Sequence, residues 1–154
     1  MQNHTNRLIL EQVDKKIKLI TSFSKVSIPT EGWIYNIRQA IGISLKQLGN
    51  RMHLTPSGVK EMEKREKNDS ITIKGLKDFA ASLELKFVYG FIPKDGSLEK
   101  MIEKRALEIA QQIVLKTSHT MALEDQQNNP ARLKKAIKNR AQQIKNEMPK
   151  YLWD

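Results

Sequence analysis

Apolar residues recur along this chain mostly at intervals of three and four, the mark of helices with one buried stripe. Leu8, Ile9, Val13, Ile17 and Ile20 predict a first helix over about Thr5–Phe23, with Glu11, Asp14, Lys15 and Lys18 on its other faces. The loop SKVSIPTEG follows, interrupted by Pro29 and Gly32. Trp33, Ile34, Ile37, Ala40 and Ile41 outline a short helix that stops at Gly42. Ser44 then opens a helix with Leu45, Leu48 and Met52 on its apolar side; its hydroxyl and Gln47 three residues on have capping-box spacing. Gly49 on that helix would let another helix approach closely. Thr55-Pro56 starts the next, with Thr as N-cap and Pro where no N–H bond is lost. Val59 and Met62 point inward there, and Ser57, Lys60, Glu61 and Lys64 outward. Only His53 and Leu54 separate these two helices.

The helical period resumes over Ile71–Leu85 with Ile73, Leu76, Phe79, Ala80 and Leu83. Residues 86–92, KFVYGFI, change character to a β-branched and aromatic run ended by Pro93, which predicts a short strand. A lone strand has unpaired edges, so its expected partner is its own copy in a second subunit, with Phe87, Val88, Tyr89 and Phe91 forming a dimer seam. A long helix begins at about Leu98 behind Ser97, with Met101, Ile102, Ala106, Ile109 and Ile113 inward. The segment KTSHTMALEDQQNNP is expected to break or bend it, and Pro130 restarts the chain. Leu133, Ala136, Ile137, Ala141, Ile144 and Met148 mark the last helix, and Trp153 is expected to be docked. The architecture predicted is all-α with one strand. It divides into an N-terminal helix and loop (1–32), a central domain ending in the strand (33–95), and a C-terminal helical extension for dimer or partner binding (96–154).

Composition narrows the function. The 154 residues carry 27 Lys plus Arg against 17 Asp plus Glu, a net charge of +10 with histidines neutral. That excess favours polyanionic partners. It is unevenly spread: +4 over residues 34–95, −1 over 96–127 and +5 over 128–154. The absence of cysteine excludes disulfides, cysteine-ligated zinc, iron–sulfur clusters and thiol nucleophiles. The start, MQNHTNRLILEQVDKK, has no signal-peptide character, and no window approaches the roughly 18 apolar residues of a membrane span. A soluble, cytoplasmic protein without membrane partners is expected. His4, His53 and His119 lack metal-ligand spacing, and His119 beside Met121 and Leu123 is expected inside. Glu124 and Asp125 are adjacent carboxylates with no nucleophile nearby. No phosphate loop, glycine fingerprint or triad pattern occurs, so no enzyme activity, cofactor or metal is expected.

The informative stretch is 44–66, SLKQLGNRMHLTPSGVKEMEKRE: helix, tight turn, helix. In a helix-turn-helix the second helix enters the major groove and the first crosses the backbone. Residues 33–85 resemble the Cro/C1-type, phage-repressor-like family, with Leu48, Gly49, Met52, Val59 and Met62 at its small and apolar packing positions. The resemblance implies a five-helix core, and an Arg38–Glu63 bridge that is structural rather than DNA-reading. It also implies that Ser57, Lys60 and Glu61 read base edges, with Gly58 allowing close approach to the DNA backbone. Phosphate contacts are expected from Lys46, Gln47, Arg51, Thr55, Lys64, Arg65, Lys67 and Lys74. One position departs from the family: the residue after the first cap, usually Gln, is Leu45.

Nearly the whole chain resembles the family called mobile mystery protein A, through ISLKQLGNRM, ITIKGLKDFAASLELKFVYGFIPKDGSLEKM, TMALEDQ and the terminal LWD. That resemblance implies an antitoxin-like, operon-autoregulating role on a mobile element beside a Fic-domain protein. The leading expectation is a dimeric, sequence-specific repressor of its own operon, binding a palindromic double-stranded DNA operator. Two alternatives stay open: an interaction protein whose flanking helices, with basic Arg132, Lys134, Lys135, Lys138, Arg140 and Lys145, restrain a Fic-type toxin, and a non-specific basic nucleic-acid binder.

Overall fold

The computed structural model describes residues 2–123 and 129–154. Seven α-helices lie within them: α1 (Gln2–Ile20), α2 (Trp33–Ala40), α3 (Leu45–Met52), α4 (Pro56–Lys67), α5 (Ile73–Ser82), α6 (Leu98–Leu123) and α7 (Pro130–Glu147). Short 3-10 turns cover Thr21–Lys25 and Lys150–Trp153. No helix among the described residues is long and apolar enough to cross a membrane. Glu124, Asp125 and the end of the TMALEDQ motif lie outside the described residues.

Side chains placed by the local sequence start most helices. Ser44 Oγ accepts from Gln47 N at 3.1 Å while Gln47 Oε1 accepts from Ser44 N at 2.8 Å, a reciprocal box at the head of α3. Thr55 Oγ1 accepts from Gly58 N and Thr72 Oγ1 from Gly75 N, each at 3.0 Å. Ser97 Oγ accepts from Lys100 N, and Asn129 Oδ1 from Ala131 N just ahead of Pro130. Ile43 and Ile71, each one residue before a cap, pack on the same apolar cluster as Leu48 and Leu76 five residues on, the pattern of a hydrophobic staple.

The chain divides into two compact units, Lys25–Tyr89 and Met1–Ser24 with Gly90–Asp154. The boundaries thus fall at 24/25 and 89/90 rather than at 32/33 and 95/96. The first helix belongs with the C-terminal helices because Asp14 caps α6: its two oxygens accept from Leu98 N at 2.8 Å and Glu99 N at 3.1 Å.

The unit Lys25–Tyr89 contains four α-helices, α2 to α5, not five. Ile34, Leu48, Val59, Met62 and Phe79 form its buried centre, with half-buried Ile37, Leu45, Met52 and Leu83 around them. Leu48 is fully buried, so Leu48→Ala would cost about 2–5 kcal/mol through lost contacts and a residual cavity. Ile73, expected inside, is half exposed; Thr72 caps α5 one residue before it and turns the Ile71 side chain to the core instead. The expected strand over 86–92 is not formed: residues 85–92 carry no regular structure, because no second strand lies alongside to complete a ladder. The Phe87 and Tyr89 rings nevertheless stack with centroids 5.7 Å apart, an i, i+2 spacing.

The other unit is centred on Ile102, Ala106, Ile109, Ala110, Ile144 and Leu152, with Leu10, Ile137, Ala141 and Met148 packed around them. Helix α6 ends at Leu123, within the segment 116–130 where a break was expected, and α7 begins at Pro130. The first part of the segment stays helical, and the Thr117 and Thr120 hydroxyls donate to the carbonyls of Ile113 and Lys116. Several expected core residues lie outward: Leu8, Ile9, Met101, Ile113 and Ala136 are exposed. His119 is exposed as well. Leu152, not Trp153, is the docked residue at the C-terminus. Arg105 holds that end, donating to Leu152 O at 2.7 Å and Asp154 O at 2.5 Å, which leaves the indole half exposed.

Lys145 joins the end of α7 to the start of α6, pairing with Glu99 at 3.0 Å and with Glu103. The hydrogen bond to Glu103 raises its pKa above the ordinary 10.5, against the desolvation of a side chain only 20% exposed. A folded pKa above the unfolded one gives stability fully present below 10.5 and lost as pH rises through the folded value. The stability gap between Lys145→Gln and the parent should therefore stay constant from about pH 7 to 9 and shrink above about 10.5 in thermal melts.

Candidate nucleic-acid interface

Helices α3 and α4 are joined by the turn His53–Thr55. His53 takes a left-handed conformation (φ 56°, ψ 38°) as the α3 C-cap, and Leu54 N donates to Gly49 O at 2.8 Å. Gly49 is buried against this turn: a Cβ there would sit 2.5 Å from the Leu54 carbonyl oxygen. The absent side chain is what lets the chain reverse so tightly.

The orientation of α2 against α4 is held by two carboxylates that lie one helical turn apart on α4. Arg38 Nε donates to Glu63 Oε1 at 2.5 Å and Nη2 donates to Oε2 at 3.3 Å, with both residues under 10% exposed. The fork geometry, together with the Tyr35 ring 5.5 Å from the guanidinium carbon, compensates the buried charge. Its hydrogen bond to Glu63 pushes the Arg38 pKa further above its ordinary value. Glu66 supplies the second tie, accepting from the backbone N–H groups of Trp33 and Ile34 at 2.7 and 2.8 Å. Helix α2 thus takes its N-terminal cap from another helix. Gly32, at φ 86°, makes room for it, since a Cβ would lie 2.8 Å from that carboxylate. Sequence reasoning missed Glu66; a helix with Gly32 at its cap position, which has no side chain to accept from the first N–H groups, was the available signal.

With Glu63 and Glu66 turned toward α2, α4 shows solvent a different face. Ser57, Lys60, Glu61, Lys64 and Lys67 share a shallow cleft of about 480 Å³ with Glu31, Tyr35 and Glu63. Lys60 and Lys64 have no acidic partner among the described residues. Lys67 pairs with Glu31 at 2.8 Å, and Arg65 with Glu61 at 3.4 Å. These exposed pairs are each worth well under about 1 kcal/mol and can exchange for a phosphate. Gly58 is half-buried at the third helical position.

The remaining candidate residues do not line this cleft. Lys46 is exposed on α3, as is Gln47, whose amide oxygen serves the cap. Arg51 donates to Ser82 O at 3.3 Å, Thr55 caps α4, and Lys74 pairs with Asp78 at 2.9 Å. His53 is exposed in the turn. Of the residues expected at a dimer seam, Phe87 is half-buried, whereas Val88, Tyr89 and Phe91 are 58%, 63% and 85% exposed. Comparison of the chain with protein-family models, with curated proteins and with solved structures gave no match.

Proposed function

We propose that this chain is a sequence-specific DNA-binding regulator of the Cro/C1 type, in which α3 and α4 form the helix-turn-helix and α4 reads the major groove. The observation that carries the reading is the face of α4. Two capped helices meet at a glycine-tightened turn, the second is anchored through its own carboxylates, and Ser57, Lys60, Glu61 and Lys64 are left outward at i, i+3, i+4 and i+7. A row of donors and acceptors along the first two turns of a rigid helix is what base-edge recognition needs. The surrounding unit, residues 25–89, carries eleven basic and seven acidic groups, a surplus suited to phosphates.

In this reading Lys46, Gln47 and Arg51 on α3, with Lys64, Lys67 and Lys74, hold phosphates, and Thr55 presents the α4 N-terminus. The protein acts in the cytoplasm as a homodimer on a palindrome with half-sites about 34 Å apart. The exposed apolar side chains of Val88, Tyr89 and Phe91 support self-association, because covering them against a second copy removes apolar surface from water. Repression of its own operon by steric occupancy follows, with an antitoxin-like place beside a Fic-domain protein on a mobile element as the wider role.

Gel-shift titration against the upstream region of the gene, with a scrambled duplex as competitor, tests this. A specific-to-scrambled ratio of about 10³ or more is expected at physiological salt. Lys60→Ala, exposed and unpaired, should keep the fold and lose about 1–3 kcal/mol of operator discrimination. A ratio near one in the parent, or unchanged discrimination in Lys60→Ala, rejects the assignment.

A further inference from the structure

Within the unit of α1, α6 and α7, an open groove of about 660 Å³ runs between α6 and α7. Leu107 of α6 and Leu133, Ile137 and Ala141 of α7 make an apolar floor, and Leu107 is 43% exposed. Lys134 and Lys138 line the α7 side one turn apart, with no acidic partner among the described residues. At the far end Lys145 and Glu103 neutralise each other, so the lining carries a surplus of two cations. The α7 lining runs from Pro130 to Lys145, about 22 Å at the α-helical rise. An elongated, open, apolar trough of that length suits a helix laid lengthwise better than an enclosed small molecule.

We propose that this groove binds an amphipathic helix with an acidic flank, presented by a different protein. A row of apolar residues at i, i+3/i+4 and i+7 would cover the floor, and Asp or Glu beside that row would face Lys134 and Lys138. The helices described in a second copy are poor candidates: each of the seven α-helices among the described residues carries a net positive charge, from +1 on α2 to +5 on α7. The proposal stands on unit Met1–Ser24 with Gly90–Asp154 alone and does not depend on DNA recognition by α4.

Fluorescence anisotropy on the full-length protein tests it with two labelled synthetic helices of about 15 residues, a length matched to the groove. Both carry leucine at i, i+4, i+7 and i+11; one is flanked by glutamates and the other by lysines. The acidic peptide should bind saturably and at least tenfold more tightly than the basic one. Lys134→Glu with Lys138→Glu should reverse that preference, and Leu107→Glu should abolish binding of the acidic peptide. The proposal is overturned by no saturable binding of the acidic peptide up to about 1 mM, by equal affinity for the two peptides, or by affinities indifferent to the variants. It is also overturned if Leu107→Glu converts a dimer to a monomer in sedimentation velocity, which would assign the groove to a second copy.

Discussion

Glu63→Ala should destabilise the unit Lys25–Tyr89 by about 3–5 kcal/mol, because it strands the Arg38 guanidinium, 9% exposed, without its carboxylate. Arg38 cannot escape by losing its proton, because a guanidinium stays charged in proteins even when its partner is removed. With typical domain stabilities of about 5–15 kcal/mol, a loss of this size brings the unit close to unfolding. The control is the pair of changes Arg38→Met and Glu63→Leu together. With neither charge left buried, the double variant should recover most of the loss. Glu61→Ala, which breaks only an exposed pair with Arg65, should cost no more than about 0.5 kcal/mol. The chain has two tryptophans, Trp33 in this unit and Trp153 in the other, so urea titrations followed by fluorescence in a Trp153→Phe background report this unit. A cost below about 1 kcal/mol for Glu63→Ala would mean that the ion pair does not hold α2 to α4.

Gly49→Ala should be the second most damaging change, costing about 1–3 kcal/mol or more. The new methyl would stand 2.5 Å from the Leu54 carbonyl oxygen, and a backbone oxygen can retreat only by opening the turn between α3 and α4. Gly58→Ala is the contrasting case. Its methyl would meet Thr55 Oγ1 at 3.3 Å and Leu54 Cβ at 3.5 Å, so a shift of a few tenths of an ångström suffices. Folding stability should change by less than about 1 kcal/mol, with the helix preference for alanine offsetting the crowding. Under the proposed function, Gly58→Ala should still weaken operator binding, because the added methyl stands between α4 and the DNA backbone. The two glycines therefore separate a requirement of the fold from one of recognition. Urea titration and gel shift on the same preparations read both. Equal stability losses in the two variants would contradict the packing of the turn.

Much of the local structure was legible because its causes lie within a few residues of one another. Ser44 with Gln47, Thr55 with Pro56, and Ser97 each satisfy backbone donors of the helix they precede, whatever the rest of the chain does. The stripe of Leu48, Val59, Met62 and Phe79 was likewise readable from spacing, since only one face of each helix could bury them. The errors fall where spacing leaves several apolar residues competing for one buried face. Leu8 and Ile9 lost to Leu10, Ile73 to Ile71, and Trp153 to Leu152. The segment 86–92 has strand composition without a strand, because composition cannot provide the neighbour that a ladder requires.

The sequence by itself determined the all-α character, where most helices begin, and the surplus of positive charge, all of which follow from near-neighbour chemistry and composition. Tertiary structure decided which helices form a unit and which charges remain available to a partner. Asp14 gathers α1 to α6 across more than eighty residues, Glu66 caps α2 from α4, and Glu63 is buried on Arg38 while Lys60 and Lys64 have no acidic partner among the described residues. No periodicity encodes those choices. A carboxylate is drawn to whatever unsatisfied donors the folded backbone brings within about 3 Å, and that proximity exists only after the chain has closed on itself.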